Sequence, residues 1–178
     1  MPDPTPGPAE GRAAAVDPSD DRLWKLIRAI RVAMVTTRGA DGAMRSRPLA
    51  TQNGSLDGAS PVLWFFVSRA SEVAAEAAND ASVNVAYADT DEDRYVSIAG
   101  TAEVIQDRAR VEALWSAAAK AWFPGGVDDP DLQLLRVQVE QAEYWDVKES
   151  KMVQLFRIAR AGSTGGPSRG TGQSRNAR

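Results

Sequence analysis

At 178 residues, with 43% hydrophobic and 25% charged side chains, the chain has the composition of one globular domain and is short for two. It contains neither cysteine nor histidine, which removes disulfides, thiolate nucleophiles, serine triads and imidazole-rich zinc sites, and fits a reducing compartment. A formal charge of −3 argues against a polyanion binder, no stretch reaches the roughly 18 apolar residues of a membrane span, and the N-terminus lacks a signal-peptide layout, so a cytoplasmic protein without nucleic-acid or membrane partners is expected.

Residues 1–16 alternate prolines (Pro2, Pro4, Pro6, Pro8) with small residues and cannot bury enough surface to offset chain entropy, so disorder is expected there. Asp17-Pro18-Ser19-Asp20 supplies an N-cap and a first-turn proline, and Leu23, Trp24, Ile27 and Ile30 follow at helical spacing. This helix should close one end of a sheet, with Trp24 in the core. Arg31 to Thr37 reads as a strand, and Asp41-Gly42 as a hairpin turn leading to an extended segment from Met44 to Gln52.

In that segment Arg45 and Arg47 lie two apart and project from one face of a strand. Two guanidiniums so placed can grip a phosphate, or they can be the solvated basic face of an ordinary hairpin. Pro48 cannot donate to a ladder, which puts this strand at an edge, at a bulge, or beside a bound group. The next strand is Val62 to Ser68. Its Trp64-Phe65-Phe66 run cannot all face one core, because neighbours alternate sides, and this predicts cover by a partner or a ligand.

Ser71 to Asn79 is alanine-rich and helix-favouring, with Ser68 or Ser71 as cap. Its N-terminus would be either an anion site or a plain capped helix. Ala81 to Ala88 and Arg94 to Val104 alternate as strands, Gly100 marking a bulge or bend. The acids from Asp89 to Asp93 read as a solvated turn between them, not a calcium loop, and no metal site is expected. Asp107 caps a helix expected to carry Val111, Leu114, Trp115, Ala118 and Trp122 along one face and to stop at Phe123-Pro124-Gly125-Gly126. Leu134 to Val147 and Lys151 to Ala159 complete the strands, and residues 161–178 form a Gly/Ser/Arg-rich tail expected to be mobile. Hairpin-like succession with peripheral helices indicates a mainly β barrel over residues 17–160, six- to seven-stranded.

Asp41-Gly42, Arg45-Ser46-Arg47-Pro48, Leu63-Trp64-Phe65-Phe66 and Ser71 occur in an order that resembles the FMN-binding split barrel of pyridoxamine 5′-phosphate oxidase-like proteins, and more narrowly its general stress protein branch. Asp107-Arg108, Leu114-Trp115, Phe123-Pro124-Gly125-Gly126, Asp128-Asp129-Pro130 and Ala142-Glu143-Tyr144-Trp145-Asp146 continue it over roughly residues 20–158. The resemblance implies a homodimer with FMN in a groove at the interface, FAD or a deazaflavin being alternatives. It implies cofactor contacts from Arg45, Ser46, Arg47 and Pro48 on one strand and Phe66 and Val67 on the next. Ser71 would open the helix beside them, with Tyr95 and Trp145 on later strands; Trp145 reads equally as plain core.

Departures from the family pattern lie at the helix start. Ser71-Glu72-Val73 stands where the oxidases read Ser-Arg-Lys and the stress branch keeps a lysine, and Val67 stands where a hydroxyl is common. A carboxylate about 4 to 8 Å from a phosphate charge opposes binding by about 2–4 kcal/mol at an effective dielectric near 20, unless Glu72 points to solvent and the two arginines carry the load. The expectation is a flavin-binding protein able to act as a low-specificity oxidoreductase, with no catalytic residue assigned and no oxidation of pyridoxamine phosphate. The alternative is a non-enzymatic dimeric barrel that has lost tight flavin binding.

Overall fold

A computed structural model describes residues 14–16, 21–53 and 61–146. Among them seven strands, β1 (Ala14–Val16), β2 (Val32–Arg38), β3 (Met44–Ala50), β4 (Val62–Ser68), β5 (Ser82–Asp89), β6 (Arg94–Ile105) and β7 (Leu132–Asp146), form one antiparallel sheet. Three α-helices among the described residues accompany it: α1 (Asp21–Ile30), α2 (Glu72–Asn79) and α3 (Arg108–Leu114). Ala14–Val16 falls inside the segment expected to be disordered, so regular structure begins earlier than the composition predicts. The strand expected from Lys151 to Ala159 and the tail after it lie outside the described residues.

The sheet runs β1-β7-β6-β5-β2-β3, with β4 paired to β7. At 15 residues β7 is long enough to serve two partners on one edge, β4 through Leu132 to Gln138 and β1 through Ala142 to Tyr144. Beyond β3 the chain turns back to β4: Thr51 bridges Phe65, Gln52 N donates to Trp64 O at 2.8 Å, and Asn53 pairs with both Val62 O and Trp64 N. Strands β2 to β7 therefore curl into a six-stranded half-barrel, laced along β3 and β4 at one end and open at the other. Pro48 sits on β3, which among the described residues pairs with β2 alone, so the edge position is the one its missing donor requires.

Alternation gives each strand an inner face. Val35, Leu63, Phe65, Val85, Ile98 and Leu135 fill the barrel, all fully buried. Helix α1 adds Leu23, Trp24 and Ile27 to this core, and α2 adds Val73, Ala74 and Ala77. The register shifts between Ala99 and Gly100, where a Cβ on Gly100 would collide with the Gln138 carbonyl. The bulge expected at Gly100 is present because two strands approach too closely for any side chain.

Trp64 and Phe66 face outward on β4, yet both are buried, at 6% and 8% exposure. A second cluster covers them, formed with Val111 of α3, Ala119, Phe123, Leu132 and Leu134. The expectation that this aromatic run needs a partner or ligand is thus corrected: the segment after β6 folds back over it. The same packing shortens α3. Asp107 caps it as expected, its Oδ1 accepting from Arg110 N at 2.9 Å, but the helix stops at Leu114. Trp115 turns extended (φ −62°, ψ 133°) and its ring lies 5.8 Å from Phe66. A seven-residue helix is too marginal to resist that contact. Trp122, expected on the helix face, is 82% exposed.

Candidate functional site

On β3 the burial alternates, with Arg45, Arg47 and Leu49 on one face and Met44, Ser46, Pro48 and Ala50 on the other. The arginines do share a face. They point toward α2, which three residues separate from the end of β4. Ser71 caps it, donating to Ser68 O at 2.6 Å and accepting from Ala74 N at 3.3 Å. Val73, Ala74 and Ala77 turn into the barrel, and this leaves Glu72 and Glu76, one helical turn apart, on the side toward β3.

Arg47 meets both carboxylates. Its Nη2 donates to Glu72 Oε2 at 2.7 Å and to Glu76 Oε1 at 3.2 Å, and its Nη1 donates to Glu76 Oε2 at 2.8 Å and to Thr37 Oγ1 at 3.2 Å. Thr37, fully buried on β2, in turn donates to Glu76 Oε2 at 2.6 Å. Arg45 makes a two-pronged pair with Asp41 of the preceding turn, at 2.6 and 3.0 Å, and lies 3.5 Å from Glu76. Gly39 leaves room for that guanidinium, since a Cβ there would strike it.

These contacts fix the protonation of the cluster. The Arg47 hydrogen bond, with Thr37 second, holds the Glu76 carboxyl below its usual range. Asp41 is drawn down to about 2, chiefly by its hydrogen bond to Arg45. The same bonds, Glu76 first, raise Arg47 further. Two guanidinium groups thus face three carboxylates, Asp41, Glu72 and Glu76, a formal balance of one negative charge. It is not the positive patch that Arg45 and Arg47 alone would make. Glu72 does not turn away to leave the arginines to a ligand; it binds one of them.

The other candidates distribute over three places. Ser46 lies on the opposite face of β3, its hydroxyl 2.7 Å from that of Thr36, and Pro48 lies on that face opposite Met34. Val67 is in the barrel core, and the Phe66 ring packs on Trp115 and Phe123 in the outer cluster. Ser71 caps α2. Tyr95 and Trp145 are register partners on β6 and β7, half-buried on the outer face of the sheet. One chain thus brings Arg45, Arg47 and Ser71 to one end of the β3–β4 seam and Tyr95 with Trp145 to another surface.

Glu76 and Thr37 were missed in the sequence. The only available signal was the Glu72–Glu76 spacing, which on an alanine-rich helix reads as a solvated face. Two surface cavities lie away from the cluster. One, of about 260 Å³, is lined by Arg28, Arg31, Gln52 and Asn53 among others. The other, of about 200 Å³, lies beside α3 and includes Arg69.

A model of the family described as "Pyridoxamine 5′-phosphate oxidase like" matches residues 19–168. The chain is 25% identical over 164 residues to protein bli-3 of Neurospora crassa, spanning 85% of this chain and 76% of that one. It is 31% identical to the general stress FMN/FAD binding protein of Xanthomonas citri, over 70% of this chain and 85% of that one, with a TM-score of 0.61. A Clostridium acetobutylicum protein related to general stress protein 26 of B. subtilis shares the fold at a TM-score of 0.62 and 22% identity, over 74% of this chain and 91% of that one.

Proposed function

The chain belongs to the pyridoxamine 5′-phosphate oxidase-like family, and from that membership we propose that it is a flavin-binding protein of the general stress type that works as a homodimer. The observation that carries the reading is the seam between β3 and β4. Among the described residues, no strand pairs with the outer edge of β3 or with the matching edge of β4 from Phe66 to Ser68. Such an edge presents backbone donors and acceptors that a flat heteroaromatic ring can use. The name of the Xanthomonas citri relative, at 31% identity, points the same way.

The second protomer seats on the outer face of β3, β2 and β5. Val32 and Met34 are 52% and 43% exposed there, with Pro48, Ala50 and Ala86 as register neighbours. The Tyr95–Trp145 pair lies on the outer face of the same curved sheet, so a partner seated there would bring aromatic rings toward a seam. An indole packs well on a flavin ring. A bound flavin would supply the redox chemistry, while the protein holds and orients the ring.

The two ends of a flavin do not fit equally. The seam suits the ring, but of the groups that would hold a terminal phosphate, Arg45 and Arg47 are engaged by Asp41, Glu72 and Glu76, and the start of α2 is capped by Ser71. That observation favours the second reading, a dimeric barrel without tight flavin binding. The test is the absorption spectrum of the purified protein, mass analysis of any released chromophore, and titration with riboflavin, FMN, FAD and a deazaflavin. A colourless protein that binds none of them refutes the flavin reading, and turnover with a nicotinamide donor refutes the non-enzymatic one.

A further inference from the structure

We propose that Glu72 and Glu76 are specificity-determining residues that set this site against phosphomonoesters, so that it accepts a flavin by its ring and gains nothing from a terminal phosphate. This rests on the flavin-binding reading above and goes beyond it by naming which flavins are preferred and why. An arginine has five N–H donors. Four of those on Arg47 are committed, two to Glu76, one to Glu72 and one to Thr37. An arriving phosphate would have to displace a carboxylate, exchanging one charge-assisted pair for another. It would also bring negative charge to a cluster that already carries a net negative charge.

The remaining groups at the seam do not compensate. Arg45 is held in a two-pronged pair by Asp41. The start of α2, favourable to anions in itself, has Ser71 bonded to its own helix and Glu72 in its first turn, and Val73 is 3% exposed inside the core. Arg69 lines the cavity beside α3. The carboxylates also do what a bound phosphate would do mechanically, since Thr37, Arg47 and Glu76 join β2, β3 and α2. They stand in for the anion within the chain itself.

The test titrates the purified protein with riboflavin and with FMN, following flavin fluorescence, and compares wild type with Glu72→Gln combined with Glu76→Gln. Wild type should hold the two flavins with affinities within about threefold of each other. The double variant replaces the charged partners of Arg47 by neutral amides and removes two negative charges, so FMN should strengthen by about tenfold or more while riboflavin changes less than about twofold. The gain should fall at high salt.

Wild type binding FMN about tenfold tighter than riboflavin, or equal strengthening of both flavins by the variant, overturns the inference and leaves flavin binding intact. A folded wild type that binds neither flavin overturns both. Should the double variant fail to fold, Glu72→Gln alone decides, because the Glu72 side chain is 77% exposed and Glu76 still anchors the helix. A smaller FMN-selective gain then supports the inference, and no selectivity refutes it.

Discussion

The position of Phe66 separates what the fold does from what the family pattern implies, because the ring lies in a hydrophobic cluster away from the arginines. It is 8% exposed, its centroid is 5.8 Å from that of Trp115, and it meets Phe123 edge-on at 6.4 Å. Truncating a buried phenylalanine to alanine costs about 3–5 kcal/mol, within which each aromatic contact accounts for about 0.5–1.5 kcal/mol. For a chain of this length about 2–4 °C of melting temperature is lost per kcal/mol, so Phe66→Ala should lower the transition by roughly 6–20 °C. Phe66→Leu keeps most of the volume and should cost about 1.5 kcal/mol or less. Its flavin affinity should be unchanged in a fluorescence titration at a temperature where both proteins are folded. A Phe66→Leu protein of wild-type stability that loses flavin affinity tenfold would show that the ring contacts the cofactor, and that the segment following β6 does not seat where we place it.

Acid should unfold the protein in a defined window. Arg47 holds Glu76 below its ordinary 4.5 and Arg45 draws Asp41 from 3.8 to about 2, so the unfolded chain takes up protons first: the stability Glu76 contributes is lost at pH values below about 4.5, and that of Asp41 as pH falls toward about 2. Glu76→Gln should make this acid limb shallower in denaturant titrations at successive pH values, and a limb parallel to wild type would refute the assignment. Gly100→Val should destabilise by about 1–3 kcal/mol or prevent folding, since its Cβ meets the Gln138 carbonyl across the bulge, and a neutral result in thermal melts would remove that constraint. Met34→Arg, placing a charge at the centre of the outer face, should convert a dimer to a monomer in sedimentation velocity; an unaltered dimer would move the interface elsewhere.

How far the sequence foretold this depends on the range of the interactions involved. Strand β4 came out with its expected limits and α2 with its expected cap, because alternation, helix propensity and a serine before alanines are local signals. The bulge at Gly100 was legible because only glycine tolerates so close a backbone approach. The length of α3 was not, because its end is decided by Trp115 reaching Phe66 across nearly fifty residues of chain. The cover over Trp64 and Phe66 is hidden for the same reason: a sequence shows that neighbours alternate sides but not which later segment covers the second side. Within the site, pattern gave Arg45 and Arg47 a common face. What that face touches depends on how α2 is rotated over the barrel, and Val73, Ala74 and Ala77 settle this by burying themselves and carrying Glu72 and Glu76 toward β3.

The arginine cluster also bears on how the seam is held. At one end β3 and β4 are laced by the Thr51–Phe65 bridge and the Asn53 side chain. Toward the other end, no strand among the described residues joins them, and the restraint comes from α2, which follows directly on β4 and is tied back to β3 through Glu72 and Glu76. The half-buried Glu76 pair has better geometry than an exposed bridge, because Thr37 donates to the same carboxylate and fixes its orientation. A barrel whose arginines waited for a ligand anion would leave this end unbraced until the ligand arrived. Here the brace is intramolecular: Thr37, Arg47, Glu72 and Glu76 tie β2, β3 and α2 together through the chain's own carboxylates.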